Sequence, residues 1–155
     1  MIKATQDNFD WYAEHIRTYL KTDGREGHLV DFSAMGGTGP TPTLLLKTIG
    51  RKSGKVSIIP LIYGTSGDDY VIIGSKGGAP DHPAWFLNME AMDHVAFQVA
   101  QDHFNGMWRV AEGPERAKIW ADMVQLYPPY ADYAAATTRQ IPVILLTPTA
   151  RTQTL

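Results

Sequence analysis

Apolar positions along this chain change period several times, and each change marks an element. Residues 44–49, 56–63 and 69–74 are short apolar or β-branched runs and predict three strands. Gly64-Thr65-Ser66-Gly67-Asp68 makes the last two a hairpin. Residues 94–100 and 107–111 predict a second strand pair, with Asn105-Gly106 as the turn in the joining segment, and 142–147 supplies a closing strand. Helical spacing appears elsewhere: Phe9, Tyr12, Ala13, Ile16, Tyr19 and Leu20 form an amphipathic stripe, capped by Asp7 or Asn8. A short helix over 84–91 follows Pro83, and another runs over 114–127 until Pro128-Pro129 interrupts it before a helical segment over 130–138. Residues 23–42 are dense in Gly, Pro, Thr and Asp and read as a connecting loop. Strands joined by tight turns, with helices inserted rather than alternating, predict an α+β fold built on a mainly antiparallel barrel.

Composition narrows the choice. At 155 residues and 44% hydrophobic, the chain has the size and core of one domain, with 1–42 as helix and loop and 43–148 as the barrel body. A net charge of −2 gives no overall basic field, which argues against nucleic acid as a partner. The absence of cysteine removes disulfides and thiolate ligands and makes the cytoplasm the default compartment. The first thirty residues lack the pattern of a signal peptide, and no run reaches the roughly 20 apolar residues of a membrane span. The N-terminal helix is expected to pack on the body; a lid or a peripheral membrane contact is the alternative, with only Lys3, Arg17 and Lys21 for anionic lipid.

Candidate chemistry concentrates in two loops that each follow a strand. Gly50-Arg51-Lys52-Ser53-Gly54-Lys55 and Gly74-Ser75-Lys76-Gly77-Gly78-Ala79-Pro80 mix cations with glycines. Glycine lets backbone N–H groups approach an anion that lysine and arginine neutralise, so two such loops suit both ends of a phosphorylated cofactor. Other chemistries are not supported. Gly50 and Gly54 are spaced wrongly for a nucleotide P-loop, and Gly36-Gly37-Thr38-Gly39-Pro40 lacks the third glycine of a dinucleotide fingerprint. The five histidines show no ligand spacing, so no metal is expected, and there is no nucleophile elbow.

Several motifs, in order, resemble the deazaflavin-dependent nitroreductase family. They are Gly50-Arg51-Lys52-Ser53-Gly54-Lys55, Pro60-Leu61-Ile62-Tyr63-Gly64, Ser75-Lys76-Gly77-Gly78-Ala79-Pro80 and His82-Pro83-Ala84-Trp85, then Asn88, Tyr127-Pro128-Pro129-Tyr130-Ala131-Asp132-Tyr133 and Arg139-Gln140-Ile141-Pro142-Val143. The likeness spans about 44–148. It implies a split β-barrel related to flavin-binding barrels, which binds coenzyme F420 and passes its hydride to a small organic acceptor.

By that resemblance, Arg51, Lys52 and Ser53, with Lys55 nearby, grip the cofactor's phosphate and carboxylate-rich tail. Ser75, Lys76, Gly77, Gly78 and Ala79 form the second contact, and Pro60 and Ile62 line the deazaflavin ring. Trp85 and Asn88, three residues apart, offer the ring a flat wall and an amide. The tyrosine segment borders the acceptor pocket, with Tyr130 and Tyr133 as the candidates for substrate contact; a packing stripe is the other reading. Ser57 stands where family members often carry a basic residue. Other readings stay open: FMN in place of F420, a non-catalytic carrier, and a monomer or a homodimer. The acceptor is left as a quinone, a nitroaromatic compound or an activated alkene.

Overall fold

Two strands at opposite ends of the sheet are joined by a single residue. In the computed structural model, which describes residues 1–6 and 10–155, the hydrogen-bonded order is β4, β3, β7, β8, β9, β6, β5. Here β3 is Pro40–Ile49, β4 Val56–Ile62, β5 Gly64–Ser66, β6 Asp69–Ile73, β7 His94–Val99, β8 Asp102–Val110 and β9 Val143–Thr152. Tyr63 alone links β4 to β5, so the sheet must curl until its ends approach. Among the described residues, no ladder joins β4 to β6. That unzipped seam is what splits the barrel, and Pro60, which has no N–H to donate, sits on the strand that borders it.

Two short strands, β1 (Ile2–Lys3) and β2 (Leu29–Asp31), pair with each other in parallel, and β2 extends the sheet through Pro40–Pro42 of β3. The helices are α1 (Asp10–Lys21), α2 (Ala84–Glu90), α3 (Gly113–Leu126) and α4 (Pro129–Ala135). None is long and apolar enough to cross a membrane.

Side-chain alternation divides the core into two layers. Leu44, Leu46, Ile72, Phe97, Phe104, Ile144 and Leu146 come from five strands and meet in one cluster, which marks the concave interior. Val71, Ile73, Val143 and Leu145 point the other way and pack with Ile119, Met123 and Tyr130 of α3 and α4. Strands β6 and β9 are thus buried on both faces, which accounts for their unbroken apolar runs.

Three expectations change. The segment 23–42 is not wholly loop, because β2 and the start of β3 lie in it. Asn105-Gly106 is not a turn: it lies inside β8 at a bulge against β9, and Gly106 is required there because a Cβ would stand 2.6 Å from the Thr147 carbonyl and 2.9 Å from Phe97. The hairpin turns at Ala100-Gln101, where Ala100 takes a φ of +52°. Finally, α1 forms and buries Tyr19 as its stripe predicts, but it buries His15 as well and exposes Tyr12 and Leu20. Polar atoms settle that choice, since Tyr19 Oη donates to the Thr43 carbonyl and accepts from the Ala100 N–H. The expected cap, Asp7 or Asn8, and Phe9 lie outside the described residues.

Candidate active site

Two cavities meet at one lysine. The first, about 420 Å3, lies over the seam and is walled by Pro60, Leu61 and Ile62 of β4 and by Ser75, Lys76 and Gly77 of the loop after β6. Trp85 of α2 closes one side, Tyr127, Tyr130 and Tyr133 another, and Trp11, Tyr12 and His15 of α1 the far end. The second, about 500 Å3, is bordered by Arg51, Lys76, His82 and Arg139, with Asp81 the opposing charge. Lys76 lines both.

Each cationic loop is held by hydrogen bonds that the side chains behind it supply. The first closes the β3–β4 hairpin: the Gly50 N–H donates to the Lys55 carbonyl at 2.8 Å and the Gly54 N–H to the Gly50 carbonyl at 2.9 Å. Arg51 is pinned from beneath, because its backbone N–H and its Nη1 both donate to Asn88 Oδ1 at 3.1 Å. Asn88 Nδ2 in turn donates to Thr48 Oγ1 at 3.4 Å. The amide of Asn88 is therefore spent on the loop, and Asn88 is not among the residues that line the first cavity.

The second loop is tied down by Arg139. Its Nε donates to the Ala79 carbonyl, Nη1 to the Gly74 carbonyl and His82 Nδ1, and Nη2 to the Ser75 carbonyl, at 2.7–3.1 Å. A guanidinium can only donate, so His82 Nδ1 is the acceptor of that bond. Burial pulls the Arg139 guanidinium below its ordinary value, and Asp81 offsets part of that shift.

Sequence reasoning and geometry meet unevenly. Pro60, Ile62, Ser75, Lys76, Gly77, Trp85, Tyr130 and Tyr133 line the first cavity, and Arg51 joins Lys76 at the second. Lys52, Ser53 and Lys55 are exposed at the hairpin tip and border neither cavity. Gly78 serves close packing, since a Cβ there would stand 2.7 Å from the Tyr133 carbonyl; Ala79 contributes its own carbonyl to Arg139. Gly77 has open space around it. Sequence reasoning missed Arg139 and His82 as loop holders and the α1 side chains as cavity wall. The only signal for Arg139 was its place in the last matching motif.

The tyrosine and α1 side of the cavity is aromatic. Tyr127 and Tyr133 hydroxyls lie 3.2 Å apart, and burial pushes the phenols of Tyr127 and Tyr130 well above the usual tyrosine range. His15 places Nε2 at 2.7 Å from the Gly27 carbonyl and 3.2 Å from Thr43 Oγ1. Burial lowers its pKa, against the opposing effect of the Gly27 bond, so the imidazole is held neutral.

The chain that carries this pairing of an apolar slot with a cationic groove has known relatives. The family model described as F420H(2)-dependent quinone reductase matches residues 11–148. The chain belongs to the F420H(2)-dependent quinone reductase family. Members of it are oxidoreductases that use coenzyme F420, which agrees with the resemblance at the level of an F420-dependent reductase and replaces the label nitroreductase with quinone reductase. An F420H(2)-dependent quinone reductase of Mycobacterium tuberculosis (strain ATCC 25618 / H37Rv) is 33% identical over 136 residues, 86% of this chain and 87% of that protein. A solved F420-H2 dependent reductase is 39% identical, with a TM-score of 0.62 over 68% of this chain and 93% of the other. A structure described as a domain-swapped dimer is 32% identical, with a TM-score of 0.65 over 86% and 94%. The split-barrel fold of this quinone reductase family member is thereby shared with both structures, one of them the F420-H2 dependent reductase.

Proposed function

We propose that this chain binds reduced F420 across both cavities and passes its hydride to a planar quinone held beside Tyr133. One observation carries the reading: Lys76 belongs to the wall of the apolar slot and to that of the cationic groove. A molecule with a flat heterocycle and a polyanionic tail fits that junction and suits neither cavity alone.

When bound in its reduced form, F420 supplies the hydride. The chain supplies geometry. Arg51 and Lys76 would hold the tail by charge-assisted bonds, with Arg51 kept in place by Asn88. Pro60 and Ile62 offer a flat apolar wall to one ring face, and Trp85 closes the side. The acceptor then occupies the end walled by Trp11 and the tyrosines, where water is displaced by aromatic surface. Tyr133 Oη, 3.2 Å from Tyr127 Oη, can donate a hydrogen bond to an acceptor oxygen. No side chain needs to form a covalent bond.

A quinone is the acceptor class we favour, because its flat ring and two carbonyl oxygens match aromatic walls edged by hydroxyls. Menadione is the probe, with a nitroaromatic compound and an activated alkene beside it. Adding menadione to protein and reduced F420 without oxygen should restore the absorbance of oxidised cofactor well above the protein-free rate. An unchanged rate, with cofactor bound, would make the protein a carrier and overturn the enzyme reading.

A further inference from the structure

Arg139, between α4 and β9, spends its guanidinium on one loop. Its four acceptors, the carbonyls of Gly74, Ser75 and Ala79 and His82 Nδ1, span that loop from the end of β6 to the approach to α2. The same loop holds three consecutive residues in left-handed conformation: Lys76 at φ +46°, Gly77 at +62° and Gly78 at +82°. Lys76 is not a glycine, so its conformation persists only where surroundings over-determine it.

Ser75 is right-handed, with φ −77° and ψ −39°, and Lys76 beside it is left-handed. That succession turns neighbouring N–H groups toward one side and makes a small anion-accepting concavity. Inside the turn, the Gly78 N–H donates to the Ser75 carbonyl and the Ala79 N–H to the Lys76 carbonyl. Among the described residues, the N–H groups of Lys76 and Gly77 donate to nothing, and both residues line the first cavity.

We infer that Arg139 is a positioning residue for the cofactor. By collecting three loop carbonyls onto one guanidinium, it draws the acceptors of the loop together and leaves the Lys76 and Gly77 N–H groups, with the Lys76 ammonium, as a preformed edge for an electron-rich group of F420. The inference rests on the F420 reading above and adds a residue that acts through the loop. A lysine cannot replace it, because one ammonium cannot reach four acceptors spread over a planar fork.

Fluorescence titration with F420 on the wild-type chain, Arg139→Lys, Arg139→Gln, Arg139→Ala and His82→Ala tests this, alongside thermal unfolding of each. Both Arg139→Lys and Arg139→Gln should bind F420 about tenfold more weakly or worse, as expected when charge-assisted bonds are lost. Millimolar guanidinium should restore part of the binding to Arg139→Ala. His82→Ala, which removes one acceptor and keeps the fork, should weaken binding by a smaller factor with its melting temperature unchanged; this arm decides the matter if the Arg139 variants unfold. Wild-type affinity in Arg139→Lys would show that charge alone suffices and overturn the inference, as would wild-type affinity throughout. A wild-type chain that fails to bind F420 overturns the cofactor reading and this inference with it.

Discussion

Arg51 donates twice to the same atom of Asn88: its backbone N–H and its Nη1 each lie 3.1 Å from Oδ1. A buried amide on α2 thereby fixes the direction of an exposed cation on the hairpin that borders the second cavity. Asn88→Ala should weaken F420 binding by about tenfold, the scale of a lost hydrogen bond to a charged group. Because the two residues act as one unit, Asn88→Ala combined with Arg51→Ala should bind no worse than Arg51→Ala alone. Additive losses in a titration of the four proteins would separate them.

Tyr133 is half-buried and Tyr130 buried, although both line the first cavity. Tyr133→Phe should therefore raise KM for menadione severalfold and leave F420 affinity unchanged. Tyr130→Ala should instead cost stability, about 3–5 kcal/mol on the scale of large aromatic truncations in a core, read as a fall in melting temperature.

Ser57 pairs in register with Thr48, whose hydroxyl accepts from Asn88. A cation introduced there stands beside the residues that hold Arg51. Ser57→Arg should tighten F420 binding by about 1.5–3 kcal/mol if its guanidinium reaches the tail. A titration giving equal or weaker affinity would place the tail elsewhere.

His15 and His28 are both lowered from the ordinary value of 6.5, chiefly by burial. A histidine depressed in the folded state binds fewer protons than the unfolded chain, so it favours folding above pH 6.5 and loses that advantage as pH falls below it. The melting temperature should drop between pH 7 and pH 5, before most carboxylates titrate. His15→Gln should flatten that slope; an unchanged slope would assign the pH dependence to other groups.

Much of this molecule could be read from its residues, and the failures have physical causes. The β-branched runs marked the central strands because burial on both faces demands unbroken apolar sequence, as in Val143–Leu146. The two cation-and-glycine loops were legible as loops, but not which of their cations face a cavity: Arg51 and Lys76 do, whereas Lys52 and Lys55 stand exposed at the hairpin tip, as a solvated turn requires. The buried face of α1 was read only in part: Tyr19 was on the expected stripe, but hydropathy cannot foresee that His15 finds a backbone partner, the Gly27 carbonyl, beyond its own helix. Asn105-Gly106 looked like a turn, yet its glycine answers to a strand neighbour, Thr147, and to Phe97. Arg139 was hidden because its partners are mainly backbone carbonyls of a distant loop, which leave no mark in the side-chain pattern.

The most direct test of the two-cavity account compares F420 with the same chromophore lacking its phosphate and carboxylate tail, titrated against the wild-type chain and against Arg51→Ala combined with Lys76→Ala. The account predicts that losing the tail weakens binding strongly in the wild type and hardly at all in the double variant. Equal affinity for both ligands in the wild type would contradict it.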